Sequence, residues 1–393
     1  MKQRIYSKDI ILVLAASFFY MASPMLVTPL ITGFSGSIGA SAGLMGLIGG
    51  LMNLCSLFCR PLVGNLADRI SKYRLSLAGA ALMALACVGY IAANHPVLVV
   101  LSRIVNGVGF ACCSVCMSTW LSNLLPRNRI GSGMGFYGMM NALAMAVAPA
   151  IGVNLYQALG YHAAFVVALV FALAVMLTIQ FISDKGLPTV AAPEKGAPRA
   201  GLQLADRKVL PVALIIMLLT MPYCATQSFL VSYIEARQLA VSVSLFFPCY
   251  AAALLVLRFA LKSLFDRLPF WIFLLGSSAS ALIGIGLLAL VQNNVMLLTA
   301  AVFMAGGYGI MCSVCQSTAI LLAGPGRRGL ANSTYYIGLD LGMALGPVAG
   351  GFLFGNLDLH LFYPVFLLTV PLGLAVYLVC RKTLRLQPEQ TGR

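Results

Sequence analysis

Long apolar runs constrain this chain more than any other feature of its sequence. Twelve of them lie near 10–33, 41–64, 75–93, 96–121, 132–156, 162–182, 209–233, 243–264, 270–291, 295–322, 331–355 and 361–380, separated by short polar or Gly/Pro-rich breaks. A bilayer core about 30 Å thick is crossed by a helix of roughly 20 apolar residues. None of the runs reads as the short alternating segments of a membrane barrel. Composition agrees, because 61% of the residues are hydrophobic and only 9% charged. Soluble domains carry about a quarter charged residues, so the solvent of this chain is expected to be the lipid bilayer. The predicted fold class is an all-α membrane protein with twelve transmembrane helices.

A net charge of +15 raises the question of a nucleic-acid partner. Its placement argues for topology instead. With the N-terminus inside, twenty of the 25 Lys and Arg residues, from Lys2 to Arg393, fall in inward segments, and the outward loops hold only Arg237. Basic residues concentrate on the cytoplasmic side of membrane proteins. The expectation is a multi-pass protein of the cell (inner) membrane with both termini cytoplasmic and no nucleic-acid partner. The first helix is too long, and lacks a small-residue cleavage site, to be a removable signal. All eleven cysteines fall in predicted helices, an odd number with no member in an outward loop, which argues against a disulfide framework.

The heptapeptides CSVCMST (113–119) and CSVCQST (312–318) lie 199 positions apart. The offset recurs. Pro24 and Thr28 match Pro222 and Thr226; Arg60, Asp68 and Arg69 match Arg258, Asp266 and Arg267; Pro149 and Gly152 match Pro347 and Gly350, all at 198. One nearly constant offset across many helices marks an internal duplication. Residues 1–183 and 209–393 are therefore expected to form two pseudo-symmetric six-helix bundles, joined by a Pro/Gly/Ala-rich cytoplasmic linker over 184–208. Six inward-starting helices per half make the repeats parallel. Each C-x-x-C could offer two ligands on one helix face to a soft metal, but small residues are also what close helix packing in lipid uses. Packing is the expected role, with no metal site. No nucleophile–His–acid set lies at one depth, so no catalytic residues and no bound cofactor are expected.

The loop between the second and third runs reads RPLVGNLADRISKYR. Gly64, Asp68, Arg69, Ser71 and Lys72 there resemble the G-x-x-x-D-R-x-[GS]-[RK] signature of the major facilitator superfamily, in the loop where that family carries it. RFALKSLFDR is the worn second copy, with Asp266 and Arg267 retained and Lys262 in place of the glycine. The resemblance implies the two-bundle fold of that family and a gating role for Gly64, Asp68, Arg69, Lys72, Asp266 and Arg267. An acid flanked by bases can pair with helix ends or charges in one conformation and release them in another.

Two further stretches extend the resemblance. LSRIVNGVGFA carries Arg103, Gly107 and Gly109 in the spacing of the family's fourth-helix motif. Arg103 would lie about 10 Å inside the membrane boundary, where an arginine faces a wet cavity or a partner; the resemblance implies a role in proton relay or substrate contact, with snorkelling or structural pairing as the alternative. GLDLGMALGPVAGG places Gly338, Gly342, Gly346 and Gly350 on one helix face ahead of, and beyond, Pro347. It is similar to the Gly-Pro motif of the drug:proton antiporter branch, which that branch carries chiefly in its fifth helix. Here the fifth helix has Ala148 before Pro149. Asp340, about 13 Å from the inner end of its helix, is the single carboxylate well inside any run. It is a candidate for proton coupling, for a latch with Arg60 or the Asp68 loop, or for binding a cationic solute.

Tyr20, Asn141, Tyr223, Gln227, Tyr250, Tyr308, Gln316, Tyr335 and Tyr336 supply a mostly aromatic and amide lining for a substrate site around the helices that the resemblance places at the centre. They suit a small, modestly polar organic solute. No Walker-type G-x-x-x-x-G-K-[ST] occurs, so the driving force is expected to be an ion gradient, protons passing through Asp340 with Arg103. The expected function is secondary active transport by alternating access, acting as a monomer and running as proton-coupled efflux. Proton-coupled uptake of a nutrient or metabolite, and a non-transporting receptor, stay as alternatives.

Overall fold

The computed structural model describes residues 7–188 and 203–384. The inward charges Lys2, Arg4, Lys195, Arg199, Arg385 and Arg393, and linker positions 189–202, lie outside the described residues. Among the described residues every regular element is a helix. In chain order they are α1 (Lys8–Ser37, with a break after Val27), α2 (Ala42–Arg69), α3 (Lys72–Ile91), α4 (Pro96–Leu124), α5 (Ile130–Leu159) and α6 (Tyr161–Gln180). Then come α7 (Leu210–Ala236), α8 (Phe246–Ala260), α9 (Phe270–Ala289), α10 (Asn294–Ala323), α11 (Arg328–Asn356) and α12 (Leu359–Leu384). Eleven are long and apolar enough to cross a membrane, and α8 is an apolar helix of 15 residues. The twelve apolar runs all appear, in order, with ends shifted by a few residues.

The chain divides into two compact units. The first holds Met1–Pro126, Tyr137–Ala205 and Gly324–Ser333; the second holds Arg127–Phe136, Asp206–Ala323 and Thr334–Arg393. The opening turns of α5 thus belong to the second unit and those of α11 to the first.

Short polar side chains start several helices by accepting an otherwise orphaned backbone N–H. Ser7 Oγ accepts from Ile10 at 3.3 Å, Ser41 Oγ from Leu44 at 3.4 Å and Asn293 Oδ1 from Met296 at 3.0 Å. The duplicated Pro-x-x-x-Thr elements fold alike. Thr28 Oγ1 donates to the Pro24 carbonyl at 2.8 Å, and Thr226 Oγ1 to the Pro222 carbonyl at 2.7 Å. A hydroxyl bonded back one turn often bends a helix, and each half carries the same bond at the same place.

Lipid is as apolar as leucine, so helices in it associate through close van der Waals contact rather than burial from water. Glycine makes that contact possible here. A β-carbon on Gly109 of α4 would lie 2.6 Å from the Gly79 carbonyl of α3, and one on Gly107 would lie 2.5 Å from the Met52 carbonyl of α2. The α11 ladder packs on α7: Gly338 abuts the Ala213 carbonyl, and β-carbons on Gly342 and Gly346 would stand 2.6 and 2.5 Å from the carbonyls of Met217 and Met221. The regular pitch of α10 is interrupted by a π-turn over Ala305–Gly309, a device that often re-aims groups at functional sites.

Candidate functional site

Asp68 ends α2 by capping another helix. Its two carboxylate oxygens accept the backbone N–H groups of Gly329 and Leu330, at 2.7 and 3.0 Å, in the first turn of α11. Unpaired N–H groups make a helix N-terminus electropositive, so a carboxylate seats there with charge-assisted bonds. Gly64 and Gly329 permit the approach, since a β-carbon on Gly329 would lie 2.6 Å from the Gly64 carbonyl. Four further bonds hold the same turns. Arg328 donates to the Ser122 carbonyl and, at 3.2 Å, to Asn123 Oδ1. Asn332 Nδ2 reaches Thr119 Oγ1 at 3.1 Å, and Ser333 Oγ donates to the Arg60 carbonyl at 2.5 Å.

The basic residues of the motif do other things. Lys72 is fully buried and donates from Nζ to the Leu187 carbonyl at 3.3 Å, while its N–H bonds the Gly186 carbonyl at 2.8 Å. Gly186 sits at φ +58°, with Trp120 against it. Arg69 is exposed and lines, with Tyr73, Arg74, Gln180 and Lys185, a groove of about 650 Å³.

The worn copy keeps part of this geometry in the second unit. Asp266 Oδ1 accepts the Ser132 N–H at 2.8 Å in the first turn of α5, and Asp266 Oδ2 lies 3.8 Å from the Arg129 guanidinium. Burial pushes the Asp266 carboxyl above its ordinary range, against the lowering effect of the Ser132 bonds and Arg129. Arg267 is exposed, and Lys262, standing where the first copy has Gly64, lies 4.1 Å from the centroid of the Phe259 ring.

Arg103 spends its guanidinium on the backbone of α2. Nε donates to the Ile48 carbonyl at 3.0 Å and Nη2 to the Gly49 carbonyl at 2.8 Å, with Met52 sulfur at 3.8 Å from Nη1. The first CSVC supplies Ser114, whose Oγ accepts from Arg60 Nη1 at 2.9 Å. Cys113 and Cys116 are fully buried, and Cys113 Sγ lies 3.7 Å from the Ser76 carbonyl. All eleven cysteines are free thiols, and among the described residues no three His, Cys, Asp or Glu side chains gather as a metal site.

Most of the aromatic candidates meet within one unit or the other. In the second unit Tyr223 lies between Tyr250 and Tyr308, ring centroids 4.8 and 4.6 Å away. Gln316 Nε2 donates to Tyr336 Oη at 3.2 Å, and Tyr335 Oη donates to the Cys312 carbonyl at 2.9 Å. In the first unit Tyr20 and Tyr137 share a hydroxyl–hydroxyl bond of 2.5 Å. Asn141, one turn beyond Tyr137, has its Oδ1 buried without a hydrogen-bond partner. Asp340 is half-buried on α11, one turn beyond Tyr336, and Gln227 is exposed on α7.

Several site residues escaped the sequence reading. Tyr137 is one: it matches Tyr335 at the offset of 198, so the duplication could have named it. Arg328, Asn332 and Ser333 carried no local signal, because their partners Ser122, Thr119 and Arg60 lie more than 200 residues away.

A profile of the Major Facilitator Superfamily matches residues 12–327 and 271–393. Multidrug resistance protein MdtL of Shewanella oneidensis is 31% identical over 137 residues, 33% of this chain and about a third (34%) of MdtL's own length. The uncharacterized MFS-type transporter MJ1560 of Methanocaldococcus jannaschii is 20% identical over 380 residues, 94% of this chain and 98% of that one. The crystal structure of the transporter FucP superposes with a TM-score of 0.74 at 16% identity, covering 97% of this chain and 99% of FucP. With the family profile running through both halves and the same architecture in solved members, this chain belongs to the Major Facilitator Superfamily and is a multi-pass secondary transporter.

Proposed function

We propose that the chain exports a small organic solute across the cell membrane in exchange for protons, by alternating access, as a monomer with both termini in the cytoplasm. The observation that carries this is Asp340, the single carboxylate in the α11 sequence, midway along the helix and half-buried one turn beyond Tyr336. A carboxyl in such a place can load a proton from one side and release it to the other as its surroundings change. The glycine ladder and Pro347 that frame Asp340 resemble the antiporter Gly-Pro motif, and MdtL, a partial relative, is named for multidrug resistance. Arg103 enters the coupling scheme through α2, whose backbone it clamps. The acid–helix clasps at Asp68 and Asp266 serve as the contacts that break and re-form between states.

Proton-coupled uptake is the second reading, favoured by Ala148, which departs from the antiporter pattern before Pro149 in α5. Transport of candidate solutes in proteoliposomes under an imposed pH gradient, with Asp340→Asn beside wild type, tests the scheme. The expected result is gradient-driven export by wild type, and a variant that still exchanges labelled for unlabelled solute without acceleration by the gradient. Equal gradient response in both removes Asp340 from coupling. Accumulation that runs with the proton flow establishes uptake, and absence of any counterflow leaves a receptor.

A further inference from the structure

Arg60 and Arg258 stand at equivalent positions of the two sequence halves, and both are buried, at 1% and 6% exposure. Their surroundings have diverged. Arg60 donates to Ser114 Oγ at 2.9 Å and lies 6.0 Å from the centroid of the Phe110 ring. At the matching places of the second half, Ser313 Oγ is buried with no hydrogen-bond partner, and glycine replaces the phenylalanine at Gly309. Arg258 turns Nη2 onto the Gly309 carbonyl at 2.9 Å, and its Nε and Nη1 are buried with no partner. None of the described carboxylates pairs with it; the groups that bear on it electrostatically are Cys312, Tyr250, Tyr335 and Tyr308.

A guanidinium inside a membrane protein is normally paired or wetted, because an isolated buried charge costs several kcal/mol. Here the groups that bear on it are a thiol and three tyrosine hydroxyls. Tyr223, Tyr250 and Tyr308 are particular to this half, standing where the first half has Met25, Met52 and Gly109, whereas Tyr335 matches Tyr137. Gly309 joins the parts: its carbonyl takes Arg258, and a β-carbon on it would lie 3.1 Å from the Tyr250 hydroxyl.

We infer that Arg258, with the hydroxyls of Tyr250 and Tyr308, receives the negative group of the transported solute, an organic monoanion that carries a carboxylate on an aromatic or apolar body. One cation, with no Lys or Arg among the groups that bear on it, matches one negative charge, and the closely packed rings of Tyr223, Tyr250 and Tyr308 match a flat apolar body. The inference rests on the transport reading, in that it assigns this cluster as the solute site of the transporter.

The test is binding to the purified full-length chain, by thermal shift and titration, with benzoate, phenylacetate and 3-phenylpropanoate as probes, each beside its neutral amide. At least one acid binds and its amide does not, Arg258→Gln weakens acid binding roughly tenfold or more, and Arg258→Lys retains part of it. Arg237→Gln, at a loop outside the cluster, leaves it unchanged. If Arg258→Gln does not fold, the acid–amide comparison on wild type decides. Amides that bind as tightly as the acids, no binding by any acid, or full affinity in a folded Arg258→Gln overturns the inference. Acid binding without counterflow retires the transport reading alone; counterflow of neutral or cationic solutes that Arg258→Gln leaves intact retires this one alone.

Discussion

Asp68 accepts the backbone N–H of Gly329, 261 residues further along the chain, at 2.7 Å, and with its second oxygen the N–H of Leu330. A loop motif thereby becomes the N-terminal cap of a distant helix. The bonds are charge-assisted, each worth about 1.5–3 kcal/mol, strong enough to hold a helix end and weak enough to be exchanged.

Asp68→Asn removes the charge while keeping the shape. Amide hydrogen exchange at Gly329 and Leu330 is expected to accelerate roughly tenfold or more, with exchange in the middle of α4 unchanged. Unaltered protection of the first turn of α11 would show that the cap is idle.

Gly342→Ala and Gly276→Ala separate packing from helix propensity. The β-carbon at 342 meets the Met217 carbonyl at 2.6 Å and Thr220 Cβ at 2.7 Å, whereas at 276 nothing lies within 4 Å. Gly342→Ala is expected to lower the unfolding midpoint. Gly276→Ala, inside α9, is expected to raise stability by about 0.5–1 kcal/mol. Thermal unfolding in detergent reads both, and a tolerated Gly342→Ala contradicts the close packing of α11 on α7.

Ser114→Ala removes an acceptor from a buried guanidinium and is expected to cost about 1.5–3 kcal/mol. Ser313→Ala, at the matching place, deletes a buried hydroxyl that has no hydrogen-bond partner and is expected to be neutral or slightly stabilising. Equal effects in chemical denaturation would mean that the two halves have not diverged at this clasp.

Burial holds the proton on Asp266 to higher pH in the folded protein than in the unfolded chain. Its contribution to stability is therefore full below the ordinary aspartate range and is lost as pH rises through the raised value. Asp266→Asn, which can still accept from Ser132, is expected to unfold at a higher temperature than wild type near neutral pH. The difference should close on acidification. Midpoints measured across pH decide it, and a gap that widens in acid refutes the sign.

The spans, their order and the duplication were legible because each rests on local chemistry. About twenty apolar residues suffice for a membrane-crossing helix, and Thr28 bonds back to Pro24 in α1 as Thr226 does to Pro222 in α7, through bonds four residues long. The glycine ladder of α11 likewise announced a close contact, without naming α7 as its partner. Faces were harder to read. Helices such as α6 and α9 are apolar all round, so periodicity does not say which side meets protein; Gln227 and Gln316 look alike in sequence, yet one is exposed and the other 4% exposed.

By itself, then, the sequence determined that the chain carries twelve apolar segments, that its two halves repeat one pattern at a nearly constant offset, and where the acidic loop motifs stand. Only the tertiary structure decided that Asp68 caps α11 and Asp266 caps α5, that Ser114 serves Arg60, and that Arg258 turns to the Gly309 carbonyl while Ser313 Oγ has no hydrogen-bond partner. The physical reason is distance along the chain. The partners of Asp68 and Asp266 lie over a hundred residues away, and those of Arg60 and Arg258 on helices whose rotation an all-round apolar pattern does not encode.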